Sequence, residues 1–177
     1  MENNFKTFNI SEFDIKNPFK FEYNNDETKK IKERFSDKNK KISLDDLRRV
    51  SLWKLNRVLD IEDKTIEKIN IIRLKEDLKY NENIVIEIIN ELKKSSGVGF
   101  PMLSSFLKFL RPDIFPIIDI RAYRALYGKK IIYGQYSIEK YFDYIKKVYE
   151  IQEKTGLELY QVDEQLYCFD RDYNGKI

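Results

Sequence analysis

The chain has 177 residues, of which 42% are hydrophobic and 36% are charged, so it is long enough to bury one sizeable core or to form two small lobes. Its 33 basic and 30 acidic side chains give a net charge of +3, which does not by itself indicate a polyanionic partner. Histidine is absent, which excludes catalysis and metal binding by imidazole. The single cysteine, Cys168, allows no intramolecular disulfide, no zinc site of paired cysteines and no iron–sulfur cluster.

The first 27 residues alternate between polar and aromatic side chains, and we expect an irregular arm that docks on the core through its phenylalanines. No basic start followed by an apolar run is present, so the sequence gives no sign of a signal peptide. The apolar runs are too short to cross a bilayer, and we therefore expect a soluble, cytoplasmic protein. Residues 28–41 carry seven basic and two acidic side chains, a composition typical of a solvated helix and turn.

From residue 42 onward the apolar side chains recur at the spacing of helices. The predicted helices cover residues 43 to 58, 63 to 78, 82–94, 100–110, 119–127, 137–155 and 157–170. Ser43, Asp119 and Ser137 are typical helix N-caps, and Gly128 and Gly156 are typical of the position that follows the last residue of a helix. Alternation with the period of a strand is limited to short stretches such as 84–86 and 130–133. The sequence therefore predicts an all-α protein.

A glycine turn, Gly97-Val98-Gly99, lies between two of these helices. The glycines permit backbone conformations closed to other residues, and the amides at the start of the following helix suit a phosphate oxygen. The segment from Glu91 to Lys130 carries eight basic and three acidic side chains, a local charge of +5. A glycine turn in the basic part of a near-neutral chain favours nucleic-acid binding. The alternative is a turn that merely connects two helices.

A second motif follows this turn. The sequence Phe115-Pro116-Ile117-Ile118-Asp119 places Asp119 20 residues after Gly99, and Arg124 comes five residues later. Together the two motifs resemble the helix-hairpin-helix DNA glycosylases related to endonuclease III and adenine glycosylase (the HhH-GPD superfamily). The hairpin of that family typically reads L-x-x-L-P-G-V-G-x-x-T-A, and its catalytic aspartate opens a D-x-x-x-x-R motif. The resemblance lies within Glu91 to Gly128.

The resemblance implies a two-lobed, all-α HhH-GPD-like fold without an iron–sulfur cluster. Residues 42–136 would form the hairpin lobe, and the arm 1–41 would pack with the C-terminal helices 137–177, the whole forming one compact unit. The hairpin would hold a DNA backbone phosphate, and its carbonyls could bind K⁺ or Na⁺; no other metal or cofactor is expected. The predicted DNA-binding residues are Gly97, Val98, Gly99, Lys93, Lys94, Arg121 and Arg124. The alternative for the two arginines, which are three residues apart, is an ion pair with a helix neighbour or with Asp113.

The resemblance also implies catalysis by Asp119 in DNA repair. A fixed carboxylate near C1′ stabilises the positive charge that develops on the sugar and activates the attacking water. Pro101 stands where bifunctional members carry a lysine, so the expected enzyme is a monofunctional glycosylase, a hydrolase acting on duplex DNA with a damaged or modified base. The candidates for its base pocket are Trp53, Tyr123, Tyr127, Tyr160 and Tyr167. The alternatives are a helix cap for Asp119 and a core side chain for Trp53.

Two departures from the family pattern favour other functions. Ser95-Ser96 replaces Leu-Pro before the hairpin, and Met102-Leu103 replaces Thr-Ala after it. The alternative hypothesis is therefore a non-catalytic nucleic-acid-binding or accessory protein, for example in genome defence, with the same fold. A third hypothesis is a helical interaction protein in which Gly97 to Gly99 form only a turn.

Overall fold

The computed structural model describes residues 5–21, 25–54, 61–95 and 97–177, and in these ranges it is all-helical, with no β-strand. The prediction of an all-α protein is confirmed. The α-helices of the described chain are α1 (Asn25–Ser36), α2 (Leu44–Lys54), α3 (Asp63–Leu74), α4 (Asn83–Lys94), α5 (Phe100–Leu110), α6 (Ile120–Tyr127), α7 (Ile138–Thr155) and α8 (Leu159–Asn174). Short 3₁₀ turns lie at Ile10–Glu12 and Tyr133–Gln135.

Most helix boundaries agree with the prediction, and the exceptions have local causes. Helix α3 ends at Leu74 rather than near residue 78. Leu78 is buried, as its apolar side chain suggested, but it lies in the loop that follows the helix. Helix α8 continues to Asn174, four residues beyond the predicted end. The predicted end of α2 falls in 55–60, outside the described residues.

The chain divides into two compact units. Unit 1 consists of Met1–Glu22 and Pro116–Ile177, and unit 2 consists of Tyr23–Phe115. The lobe boundaries expected at 41/42 and 136/137 stay predictions. Helix α1 belongs to unit 2 because it packs against α2 and α5, and α6 belongs to unit 1 because it packs against α8.

Unit 2 is built around α5, which is buried along almost its whole length. Ile31 and Phe35 of α1 are buried in the same core, where the rings of Phe35 and Phe109 lie 6.0 Å apart. Helices α3 and α4 pack together and are joined by Lys68, whose Nζ lies 2.7 Å from Glu91 and 2.8 Å from Glu87.

Unit 1 consists of α6, α7, α8 and the N-terminal arm. The buried faces of α7 and α8 pack against each other, and α6 packs on α8. The arm is bound to α8 by two reciprocal hydrogen bonds, in which the Phe19 N–H donates to Gln165 at 2.8 Å and Gln165 Nε2 donates to the Phe19 carbonyl at 2.9 Å. Phe8, Phe13 and Phe19 of the arm form one aromatic cluster with Phe169 and Tyr173 of α8. The expectation that the arm docks through its phenylalanines is confirmed for these three.

Among the helices of the described chain, none is both long enough and apolar enough to span a bilayer.

Candidate functional site

The glycine turn between α4 and α5 has the tight geometry expected from its sequence. Gly97 has a φ of 79°, in the left-handed region that favours glycine. Val98 is 7% exposed and fills the turn with its side chain, while its N–H donates to the Ser95 carbonyl at 3.3 Å. Gly99 is the N-cap of α5, and its carbonyl accepts from the Leu103 N–H at 2.9 Å. Ser96 lies outside the described residues.

Positive charge is concentrated around this turn. Lys93 and Lys94 are both exposed in the last turn of α4. The positive end of the α5 dipole follows directly at Gly99. Pro101 fits the first turn of α5, where a backbone N–H has no partner within the helix. The turn can therefore attract an anion through two ammonium groups and one helix dipole.

Asp119 is the N-cap of α6 in unit 1. Its backbone is extended, and its Oδ1 accepts a hydrogen bond from the Ala122 N–H at 2.8 Å. The side chain is half-buried, so part of the residue reaches solvent. The capping role considered for Asp119 is therefore present, and it also fixes the orientation of the carboxylate.

Two buried side chains fix the backbone that leads to Asp119. The Tyr141 hydroxyl of α7 donates to the Pro116 carbonyl at 2.9 Å. Asp163 of α8 accepts from the Ile117 N–H at 3.0 Å. Both side chains are buried, so the segment is attached to two helices just before Asp119. Neither residue was predicted for the site from the sequence. The signal for Asp163 was its place between Val162 and Leu166 on the apolar face of α8, where a carboxylate must have a partner.

The phenols near Asp119 are held in the neutral form. Burial raises the pKa of Tyr136, and the negative charge of Asp119 raises it further. The pKa of Tyr144 is raised well above its ordinary value, mainly by burial and to a smaller extent by the charges of Asp163 and Asp119. Neutral phenols beside carboxylates are able to donate hydrogen bonds at physiological pH.

The two predicted DNA-binding arginines of α6 have an internal partner. Arg124 is completely buried, and its Nε and Nη2 lie 2.6 Å and 2.7 Å from the carboxylate of Asp170. Arg121 Nη1 contacts the same carboxylate at 3.1 Å, and Arg121 is half-buried. Asp113 pairs instead with Arg111 at 2.6 Å. A phosphate contact by Arg124 would require this buried pair to open; the DNA contacts of both arginines stay predictions.

The aromatic residues predicted for a base pocket lie in different surroundings. Trp53 belongs to the core of unit 2, where it is 8% exposed, donates to Thr28 Oγ1 at 2.9 Å and packs edge-on against Phe109. In unit 1, the rings of Tyr123 and Tyr127 are stacked with centroids 4.3 Å apart.

Tyr160 and Tyr167 are both half-buried residues of α8. Arg121 lies 5.8 Å from the centroid of the Tyr167 ring. Trp53 lies in the environment of a core side chain, which is the alternative role considered for it. The role of the four tyrosines in a base pocket stays a prediction.

Two cavities in unit 1 were not predicted from the sequence. One of about 360 Å³ opens over the aromatic cluster of the arm and α8. The other, of about 630 Å³, lies between the arm and α7. Asp119 lines neither cavity.

In the part of the chain that the structure describes, no three cysteine, aspartate or glutamate side chains are grouped so that they could hold a metal ion. The K⁺ or Na⁺ expected at the hairpin carbonyls stays a prediction. No family model, curated protein or solved structure matches the chain. Membership of the glycosylase superfamily therefore also stays a prediction.

Proposed function

We propose that this protein binds DNA and removes a base by hydrolysing its N-glycosidic bond with the carboxylate of Asp119. The observation that carries the proposal is the fixed, half-buried position of this carboxylate at the start of α6. The hydrogen bonds from Tyr141 to Pro116 and from Ile117 to Asp163 support it, because they fix the backbone just before the carboxylate. Catalysis by charge stabilisation requires a group that does not need to reorganise during the reaction.

The chemistry requires only one carboxylate of this kind. As the bond between C1′ and the base weakens, positive charge develops on the sugar and is stabilised by Asp119. Water then forms a bond to C1′, and the electron pair of the broken bond leaves with the base. Asp119 accepts a proton from the water. Pro101 has no amine, so no Schiff base can form at that position.

The hairpin in unit 2 supplies the proposed contact with the DNA backbone. Lys93 and Lys94 are exposed beside the turn, and α5 begins at its far end. A cation that neutralises a phosphate releases counterions, so the affinity must fall as salt rises.

Binding is tested with duplex DNA over a series of salt concentrations. The double variant Lys93→Gln/Lys94→Gln is expected to bind more weakly and to reduce the slope of log affinity against log salt by about 0.9 for each phosphate that is no longer neutralised. The matched control is Lys38→Gln/Lys79→Gln, which removes two other exposed lysines of unit 2. Equal slopes for both double variants would show that the hairpin does not bind the phosphates.

Catalysis is tested with duplexes that contain modified bases, followed by alkaline cleavage of abasic sites. Asp119→Asn is expected to slow base release by about 10²- to 10⁴-fold. The variant should remain folded because asparagine caps a helix as well as aspartate does. Asp143→Asn, at an exposed position on α7, is the control and should retain full activity. Base release by Asp119→Asn at the wild-type rate would exclude the proposed role.

A second candidate is a nucleic-acid-binding protein without catalysis. The observation that favours it is the burial of Trp53, Tyr123 and Arg124, which leaves three of the predicted DNA-contacting residues inside the units. This candidate requires salt-dependent DNA binding by the wild type without base release from any duplex in a broad panel of modified bases.

A further inference from the structure

The loop between α6 and α7 presents two apolar side chains to solvent. Tyr133 is 78% exposed and Ile132 is 64% exposed, the two highest values among the large apolar side chains that the structure describes. A Cβ at the neighbouring Gly134 would meet no atom within 4 Å, so the space beside the tip of the loop is open. Adjacent exposed apolar side chains with a tyrosine ring are typical of a surface that contacts another molecule.

The loop is held in one shape by its own hydrogen bonds. Tyr133–Gln135 forms a 3₁₀ turn, in which the Ile132 N–H donates to Gln135 Oε1 at 3.1 Å and the Gln135 N–H donates to the Ile132 carbonyl at 2.9 Å. Ile131, which is 1% exposed, and the half-buried Tyr136 anchor the turn on both sides. The exposed ring of Tyr133 is therefore presented by an ordered backbone, which lowers the entropy cost of binding.

Positive charge lies directly beside this turn. Lys129 and Lys130 are both exposed, and neither forms an ion pair with a carboxylate of the described residues. Lys130 Nζ lies 5.6 Å from the centroid of the Phe5 ring. The sequence has no acidic residue between Asp119 and Glu139. The loop thus combines an exposed aromatic ring with two available ammonium groups, and its charge fits a polyanion.

We propose that this loop binds an unpaired DNA strand, with Tyr133 stacked on one base and Lys129 and Lys130 bound to adjacent phosphates. Aromatic stacking beside basic side chains is the usual way in which proteins hold single strands. Lys130 and Tyr133 are three residues apart, so at most about 11 Å of chain joins them and both can reach the same short stretch of strand.

The surroundings of Tyr133 favour an unpaired strand over the other occupants. In a duplex the faces of the bases are covered by neighbouring pairs, and the grooves present only base edges. Two lysines are too few for an anionic membrane, since recognition of its headgroups usually takes four to eight basic residues. This binding site depends neither on catalysis by Asp119 nor on the hairpin of unit 2.

Stacking is tested with a short fluorescent oligothymidylate, whose anisotropy reports binding. Tyr133→Ala is expected to weaken the affinity by about 5- to 150-fold, the usual effect of removing one stacked ring. Tyr133→Phe keeps the ring and should bind like the wild type. Tyr133→Leu keeps apolar bulk but cannot stack, so it should lose as much affinity as the alanine variant. Wild-type affinity of Tyr133→Leu would show a simple apolar contact and overturn the proposal.

The phosphate contacts are tested with the same oligonucleotide over a series of salt concentrations. Lys129→Gln/Lys130→Gln is expected to reduce the slope of log affinity against log salt by about 0.7 for each phosphate that is no longer neutralised. The matched control is Lys146→Gln/Lys154→Gln, which removes two exposed lysines further along α7. Equal slopes for the two double variants would overturn the assignment of the phosphates to Lys129 and Lys130.

Two further probes distinguish the unpaired strand from other partners. A fully paired duplex should bind the wild type and Tyr133→Ala equally. A loss of affinity confined to the duplex would overturn the proposal, as would Tyr133-dependent binding to vesicles of anionic phospholipid without binding to the oligonucleotide.

Failure of this site and failure of the proposed function give different results. Tyr133-dependent binding of the oligonucleotide without base release by the wild type would support the loop site and count against the proposed function. Base release by the wild type with oligonucleotide binding that does not depend on Tyr133 would overturn the loop site alone.

Discussion

Asp170 on α8 is a completely buried carboxylate that accepts hydrogen bonds from three side chains. Arg124 binds it through two nitrogens, Arg121 contacts it at 3.1 Å and Asn174 donates to it at 3.0 Å. Removing charges from water is costly, and a buried pair persists only when its hydrogen bonds are satisfied. Asp170 therefore neutralises the guanidinium of Arg124, which is also completely buried.

Asp170→Asn is expected to lower the free energy of unfolding by about 3–5 kcal/mol, because Arg124 would keep its charge in the interior without a counter-ion. Urea denaturation measures the loss. Asp172→Asn is the matched control: Asp172 pairs with Arg171 near solvent, with side chains 38% and 36% exposed, and such a pair contributes at most about 1 kcal/mol. Similar losses in the two variants would contradict a structural role for the buried pair.

For single residues, the sequence predicted contacts between residues that are close in the chain but not contacts between residues that are far apart in it. The cap formed by Asp119 was predictable because the acceptor and the Ala122 N–H are three residues apart. The partner of Arg124 was not, because Asp170 is 46 residues away and the contact depends on how α6 packs on α8. Carboxylates on the apolar face of α8 could have indicated burial, but not the identity of their partners.

Helices α6 and α7 end in the same way but in different surroundings. Gly128 follows α6 and Gly156 follows α7, each in the left-handed conformation with a φ of 69°. A Cβ at Gly128 would lie 2.9 Å from Thr7 Cγ2 in the arm, whereas a Cβ at Gly156 would have no atom within 4 Å. Substitution of Gly156 therefore tests the cost of the backbone conformation alone, whereas substitution of Gly128 also tests the cost of contact with the arm.

Gly156→Ala is expected to cost about 1–2 kcal/mol of unfolding free energy, the usual strain of a side chain in the left-handed region. Gly128→Ala should cost more, because it adds a clash with Thr7. Parallel denaturation of the two variants measures the difference. An equal cost would show that the arm is displaced from the end of α6 without loss.

The sequence predicted helices best where their ends are fixed by local chemistry. Helix α6 is capped by Asp119 at its start and Gly128 at its end, and α7 is capped by Ser137 and Gly156 in the same way. The extra turn of α8 could not be predicted in this way. It ends at Asn174, whose side chain exchanges two hydrogen bonds of 2.7 Å with the backbone of Lys6, 168 residues away.

For the molecule as a whole, packing decides the unit to which a helix belongs, and order in the chain does not show it. Helix α1 packs against α5 and belongs to unit 2, and α6 packs against α8 and belongs to unit 1. The glycine turn and Asp119 were found from sequence, and they lie in different units, unit 2 and unit 1.

Unit 1 contains five tyrosines whose pKa is raised, mainly by burial: Tyr123, Tyr127, Tyr136, Tyr141 and Tyr144. For Tyr127, burial, aided by Tyr123, Asp143 and Glu150, raises the pKa to about 12. In the unfolded chain a tyrosine ionises near pH 10, at about its reference pKa. The stability of the fold should thus be intact below pH 10 and fall as the pH rises toward 12 and above.

An alkaline titration tests this prediction. Circular dichroism follows the helices, and ultraviolet absorbance follows tyrosinate in the same sample. The ionisation of the buried tyrosines is expected to accompany the loss of helix in one transition. Ionisation of all tyrosines near pH 10 with the helices intact would contradict it.

The discontinuity of unit 1 also constrains how the protein is made. The hydrogen bond from Phe19 to Gln165 spans 146 residues, so a ribosome adding about 5–20 residues per second synthesises the second partner roughly 7–30 s after the first. Unit 2 is continuous and leaves the ribosome complete before α8 exists. The phenylalanines of the arm therefore remain without their α8 partners on the nascent chain until the last helix emerges.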